Sequence, residues 1–298
     1  MGAVVPPGGW ELCPGDEGWP PMLEDLATQP DVLCGMGDPA ALLGPCISII
    51  GARKATPYGL AVAEMAGRVA AECGITVVSG GALGCDHAAG MAALAAGGRT
   101  VVVSGVGADR VYPATSSDVF DGALAHGGAV VSLEPWGATP RRWAFPKRNV
   151  IIAALSQVLV VTEAGSRSGT MSTAEAAVEL DRTIYAIPGS IFSPNSVGTN
   201  GLVAEGARVI ADERALELAI SLDYGVLRLV GSGERAELGA VMSALLASPS
   251  RPDELATRLG ESVFTVMKTL TDFEARGLVT RLPDGRYSPS QSYLANQG

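Results

Sequence analysis

Hydrophobic positions along the chain fall into short unbroken runs, each followed by a stretch where they recur every three to four residues. "CISIIG" (46–51) precedes "TPYGLAVAEMAGRVAAECG" (56–74), whose apolar residues share one helical face closed by Gly74. The rhythm repeats through "ITVVSGG" and "CDHAAGMAALAAGG", then through "TVVVSGVG" and "SSDVFDGALAHGG". It continues with "AVVSLEP", "NVIIAALS", "QVLVVTEAG", "GTMSTAEAAVELD", "TIYAIPGS", "GTNGLVAEGA" and "RVIAD". Fully apolar strands alternating with helices of this length predict βαβ units and a parallel sheet covered on both faces. The fold expected is α/β, a Rossmann-like, doubly wound, mostly parallel sheet.

Both ends of the chain lack this rhythm. Residues 1–45 are rich in Pro and Gly and predict an irregular lead-in packing on the main domain. After Asp223, "RAELGAVMSALLAS", "RPDELATRLG" and "SVFTVMKTLTDFEARG" predict three helices, and "LVTRLPDGRYSPS" predicts two short strands around a Pro-Asp-Gly turn. Three helices and a hairpin form a small C-terminal winged helix, a helix-turn-helix variant. Gly231-Ser232-Gly233 suits a linker. The domains expected are therefore 1–45 (lead-in), 46–224 (Rossmann-like) and 235–298 (winged helix).

Charge changes the picture only when read locally. The net charge of −10 argues against a chain that binds nucleic acid over its whole surface. Residues 1–45 hold seven acids and no Lys or Arg, and residues 226–298 hold eight of each sign, so the middle is almost neutral. Within it "RRWAFPKR" (141–148) sets four cations beside two aromatics with no acid between them. Cations for phosphates and flat faces for bases are what a single-stranded nucleic acid needs, although a solvated loop whose aromatics cap a core would read alike. The five cysteines show no CxxC spacing, so neither a disulfide framework nor a zinc site is expected, and a reducing cytoplasm fits. No signal peptide is read at the N-terminus. The longest nearly apolar stretch, 150–161, is shorter than the roughly 20 residues of a membrane helix.

In such sheets ligands bind beyond the C-terminal strand ends, which singles out four loops. "IIGARKATPYG" puts Arg53 and backbone N–H groups before a helix start, a phosphate-binding arrangement that an ordinary βα turn would also show. "VSGGALGCD" lets the backbone at Ser79 and Gly80 approach a ligand, but its spacing is not GxGxxG, so a nicotinamide cofactor has little support. "TPRRWAFPKRNVIIAALS" reads as a cationic loop carrying Phe145, Lys147, Arg148 and Asn149. "VTEAGSRSGTMSTAEAA" opens a helix with Ser168, Gly169 and Thr170, either a phosphate loop or a plain capped start.

Seven stretches in one order and spacing resemble the DNA-processing protein A (DprA/Smf) family. They are "GARKATPYG" (51–59), "SGGALGCD" (79–86), "VYP" (111–113), "PRRWAFPKRNVIIAALS" (140–156), "EAGSRSGT" (163–170), "AIPGS" (186–190) and "GTNGLVAEGA" (198–207). The resemblance spans about residues 20–215 and implies a single-stranded DNA-binding homodimer. Such a protein guards incoming DNA in natural transformation and passes it to a RecA-type recombinase, without turnover or cofactor. Carried over residue by residue, it implies that Arg53, Ser79, Gly80, Lys147, Arg148, Ser168, Gly169 and Thr170 meet phosphates. Phe145 would stack on a base, and Asn149 would bond a phosphate or tie the loop down. Leu83, Gly90 and Val150 depart from the family's usual polar residues.

Two other classes compete. A Rossmann-like enzyme binding nucleotides or hydrolysing nucleoside monophosphates would use Glu163 ahead of "GSRSGT", but the Pro-Gly-Gly-x-Gly-Thr cluster is absent, and His87 and His126 lie in helical segments without triad or metal spacing. A transcription factor would read bases through "SVFTVMKTLTDFEARG", yet that helix offers only Lys268 and Arg276 against Asp272 and Glu274, with no Asn or Gln. The C-terminal module is expected to contact protein, or the main domain itself.

Overall fold

The computed structural model describes residues 4–166, 168–228, 241–242, 244–245, 249–290 and 293. The chain divides into two compact units, residues 1–229 and 230–298. In the first, the strands are β1 (Gly9–Leu12), β2 (Leu33–Gly37), β3 (Cys46–Ile50), β4 (Thr76–Ser79), β5 (Thr100–Ser104), β6 (Ala129–Ser132), β7 (Val158–Val161), β8 (Thr183–Ala186) and β9 (Arg208–Val209). The helices are α1 (Pro57–Glu72), α2 (Cys85–Ala95), α3 (Ser117–Ala125), α4 (Ala144–Ala154), α5 (Gly169–Glu179), α6 (Val197–Ala204) and α7 (Glu213–Tyr224). The strands form one sheet in the order β1-β2-β6-β5-β4-β3-β7-β8-β9. From β6 to β9 every neighbour is parallel. Succession runs outward from β3 in both directions, so the order reverses between β3 and β7.

Alternate side chains of each strand enter opposite layers, as a period of two requires. Ile47, Ile49, Val158 and Val160 pack with residues of α1, α2 and α7, whereas Ile50, Leu159 and Val161 pack with residues of α4, α5 and α6. Each buried Val, Leu or Ile contributes about 1.5–3 kcal/mol of transfer free energy, so this two-sided burial explains why the strands read as short runs dominated by Val and Ile.

Two expectations need correction. The first 45 residues are not merely an irregular lead-in: β1 pairs antiparallel with β2, and β2 antiparallel with β6, which extends the sheet. The strand signal was hidden because Gly35 and Gly37 interrupt β2. Gly35 is required there, since its cross-strand partner Trp10 lies over it and a β-carbon would run into the indole. The stretch around Lys147 is also no loop, because Ala144–Ala154 is helix α4. Buried Ala144, Arg148, Ile151, Ile152 and Leu155 recur at helical spacing. Pro146 falls in the first turn, where its missing N–H costs nothing.

The second unit contains α8 (Pro252–Leu259), α9 (Val263–Ala275) and the hairpin β10 (Val279–Arg281) with β11 (Tyr287–Pro289). Ser262 caps α9 by accepting the Thr265 N–H at 3.0 Å. Leu255, Val266, Leu270, Phe273, Val279 and Tyr287 form its core. The Gly-Ser-Gly linker lies outside the described residues, as does most of the helix expected over 235–248. No helix among the described residues is long and apolar enough to cross a membrane.

Candidate nucleic-acid interface

A cleft of about 630 Å³ opens where the strand order reverses. The loops after β3 and β7 line it, with the start of α5 and one face of α4. Arg53 and Lys54 are exposed at its edge and have no ion-pair partner among the described residues. In the same lining, Ser168 stands at the N-cap of α5 and the exposed Gly169 follows it. The Ser168 hydroxyl is buried without a partner among the described residues. A helix N-terminus, an unpaired hydroxyl and two free cations around one hollow are the chemistry that suits an anion of phosphate size.

The floor is built differently. Asp86 is buried; its Oδ1 accepts the Gly51 N–H at 3.3 Å and its Oδ2 the Gly80 N–H at 3.1 Å. One carboxylate thus ties the ends of β3 and β4. Arg148 lies beside it, 5% exposed, and donates from Nη1 to the Val103 carbonyl at 2.9 Å. Burial pushes the Arg148 guanidinium down to about 10, against the attraction of Asp86. Burial also raises the Asp86 carboxyl, opposed by Arg148 and by the two backbone donors. A β-carbon at Gly80 would collide with both Arg148 and Asp86, so only glycine fits.

An aromatic ledge stands next to the cations. The Arg53 guanidinium carbon is 5.7 Å from the centre of the Phe145 ring, and Arg148 approaches the same ring at 5.9 Å. Tyr112, 43% exposed, tilts at 46° with its centroid 5.7 Å from that of Phe145.

The structure brings Arg53, Arg148, Asn149, Ser168, Gly169 and Thr170 to the lining of the cleft, sets Phe145 beside Arg53 at its edge, and engages several of the expected groups within the protein. The Ser79 hydroxyl is buried and donates to Ile49 O at 2.7 Å; Gly80 is closed in by Asp86 and Arg148. The Thr170 hydroxyl is spent on Gly51 O at 3.0 Å. Asn149 donates to Gly169 O and Ser172 Oγ, fastening α4 to the start of α5. Arg148 lies in the floor rather than at the surface, and Lys147 faces a separate groove beside residues 26–32. Lys54 follows Arg53 in the first loop, whereas Asp86 and Tyr112 fall within quoted motifs that carry no signal of their roles. Glu163 is likewise committed: it accepts the Thr56 N–H at 2.8 Å and the Thr56 hydroxyl at 2.7 Å. Among the described residues no group of three or more His, Cys, Asp or Glu could hold a metal ion.

The fold and cleft define a Rossmann-like α/β protein with a cation-edged cleft at its switch point and a winged helix in a second unit. The chain belongs to the DNA recombination-mediator protein A family, whose model matches residues 10–220, while that of the DprA winged helix domain matches 232–285. Protein Smf of Escherichia coli K12 is 31% identical over 92% of this chain and 76% of its own length. An X-ray structure of DNA processing protein A from Streptococcus pneumoniae superposes with a TM-score of 0.66 at 34% identity, covering 70% of this chain and 73% of that one. The Helicobacter pylori counterpart, described for its single-stranded DNA binding mode, superposes with a TM-score of 0.65 at 29% identity over 72% and 97%.

Proposed function

We propose that this chain is a cytoplasmic single-stranded DNA-binding protein that protects incoming DNA during transformation and loads a RecA-type recombinase on it, working as a homodimer. The observation that carries the reading is the switch-point cleft, which Arg53 and Lys54, without ion-pair partners among the described residues, line together with the N-terminus of α5, with Phe145 and Tyr112 beside Arg53. Phosphates would lie between the cations and the helix start, and bases on the two rings. The family and the DNA-binding relative from Helicobacter pylori support the same assignment. No turnover belongs to it, and Glu163, the acid a hydrolase would use, is occupied by Thr56. Anisotropy titration with single- and double-stranded oligonucleotides of equal length tests the reading. Tighter binding of the single strand with little sequence bias is expected, and equal affinity for the duplex would sink it.

A further inference from the structure

Beyond β8 the chain turns through "PGSIFSPNS" (188–196) along the rim of the cleft, which Pro194 and Asn195 help to line. At its tip Phe192 is 90% exposed and Ile191 80%, in a chain that has only five phenylalanines. The turn is firmly held. Asn200 accepts the Gly189 N–H at 3.1 Å and donates back to Gly189 O at 3.1 Å. Tyr58 donates to Pro188 O at 2.7 Å, and the Ser190 hydroxyl accepts the Phe192 N–H at 3.2 Å. Behind it, the Gly198 N–H donates to Ala164 O at 2.8 Å, seating the segment on the loop that leads into α5. An aromatic this exposed on a turn this well bonded is presented to solvent, not left over from the core.

We infer that Phe192 is a second stacking platform, which receives a base of the single strand as it leaves the cleft on the side away from Phe145. The inference rests on the cleft being the DNA site. Residues 183–204 contain no charged side chain, so nothing on this rim repels phosphate. A protein partner is the weaker occupant. A stable protein interface buries about 1,200–2,000 Å², whereas the apolar tip here is two side chains flanked by Ser190, Ser193 and Asn195. One exposed ring with hydroxyls and an amide beside it suits one base and its sugar.

The test uses the full chain and two thymidine oligonucleotides, one just long enough to fill the cleft and one several times longer. Phe192→Ala should weaken the long strand about tenfold, within the range of one lost stacked base, and leave the short one unchanged. Phe192→Trp should restore binding and its indole emission should quench on adding the long strand, whereas Phe192→Leu should not restore it. Wild-type affinity of either Phe192→Ala or Phe192→Leu for the long strand would overturn the platform. A changed sedimentation coefficient for Phe192→Ala with DNA affinity intact would overturn it too, in favour of contact between copies. Arg53→Ala separates the two claims. Loss of both oligonucleotides there, without any effect at Phe192, removes only the platform. Unaltered binding by Arg53→Ala removes the cleft reading itself.

Discussion

Arg53 and Arg148 carry the same guanidinium into opposite circumstances, and they should fail differently when removed. Arg53 is exposed beside Phe145 with no acid paired to it among the described residues. Arg53→Ala should weaken single-strand binding and flatten the slope of log K against log[salt] by about 0.7, the share of one neutralised phosphate. Phe145→Ala should cost about 1–3 kcal/mol of binding with the slope unchanged, because stacking releases no counterions. Arg148→Ala would remove both the donor to Val103 O and the charge that opposes the desolvation of buried Asp86, so Tm should fall before any DNA is added. The sequence located the cations and aromatics but not their orientation. Lys147 and Arg148 are adjacent in the chain, yet α4 turns them roughly 100° apart, one toward the groove by residues 26–32 and one into the cleft floor. Composition carries no such angle.

Elements, in contrast, were legible wherever burial was two-sided. β3, β4, β5 and β7 are buried along their whole length because helices cover both faces, and such short runs rich in Val and Ile stand out in the sequence. β2 did not, since Gly35 makes room for Trp10, a requirement set by a partner strand more than 20 residues away in sequence. Helix α1 shows how one element can hold the site. Its N-cap Thr56 accepts the Gly59 N–H at 3.2 Å and gives both of its own donors to Glu163, which follows β7. The cap therefore joins the loop bearing Arg53 and Lys54 to the loop leading into α5. Thr56→Ala should lower stability by about 0.5–2 kcal/mol, read from denaturant melts, and DNA affinity should fall with it as the two loops lose their tie.

For the whole molecule the sheet accounts for the behaviour of the thiols. Burial pushes Cys46 up to about 12 and Cys34, Cys73 and Cys85 up to about 11, while Cys13 is exposed. At pH 8 a thiol reagent should titrate one of the five cysteines in the native protein and all five after unfolding. A raised thiol stabilises the fold while both states are protonated, so Tm should fall as pH climbs from the ordinary thiol value of 9.0 toward 11 and beyond. The same sheet also sets a timetable. β3 meets β4 early, but its other neighbour β7 begins at Val158, and the helix start that lines the cleft with Arg53 is at Gly169. At synthesis rates of about 5–20 residues per second, roughly 6–23 s separate the emergence of Arg53 from that of Gly169. Until then one edge of β3 is an open row of backbone donors and acceptors between Ile and Cys side chains, inviting the wrong strand. A newborn chain thus spends its most aggregation-prone seconds with half a sheet, and the cleft itself exists only once that edge is sealed.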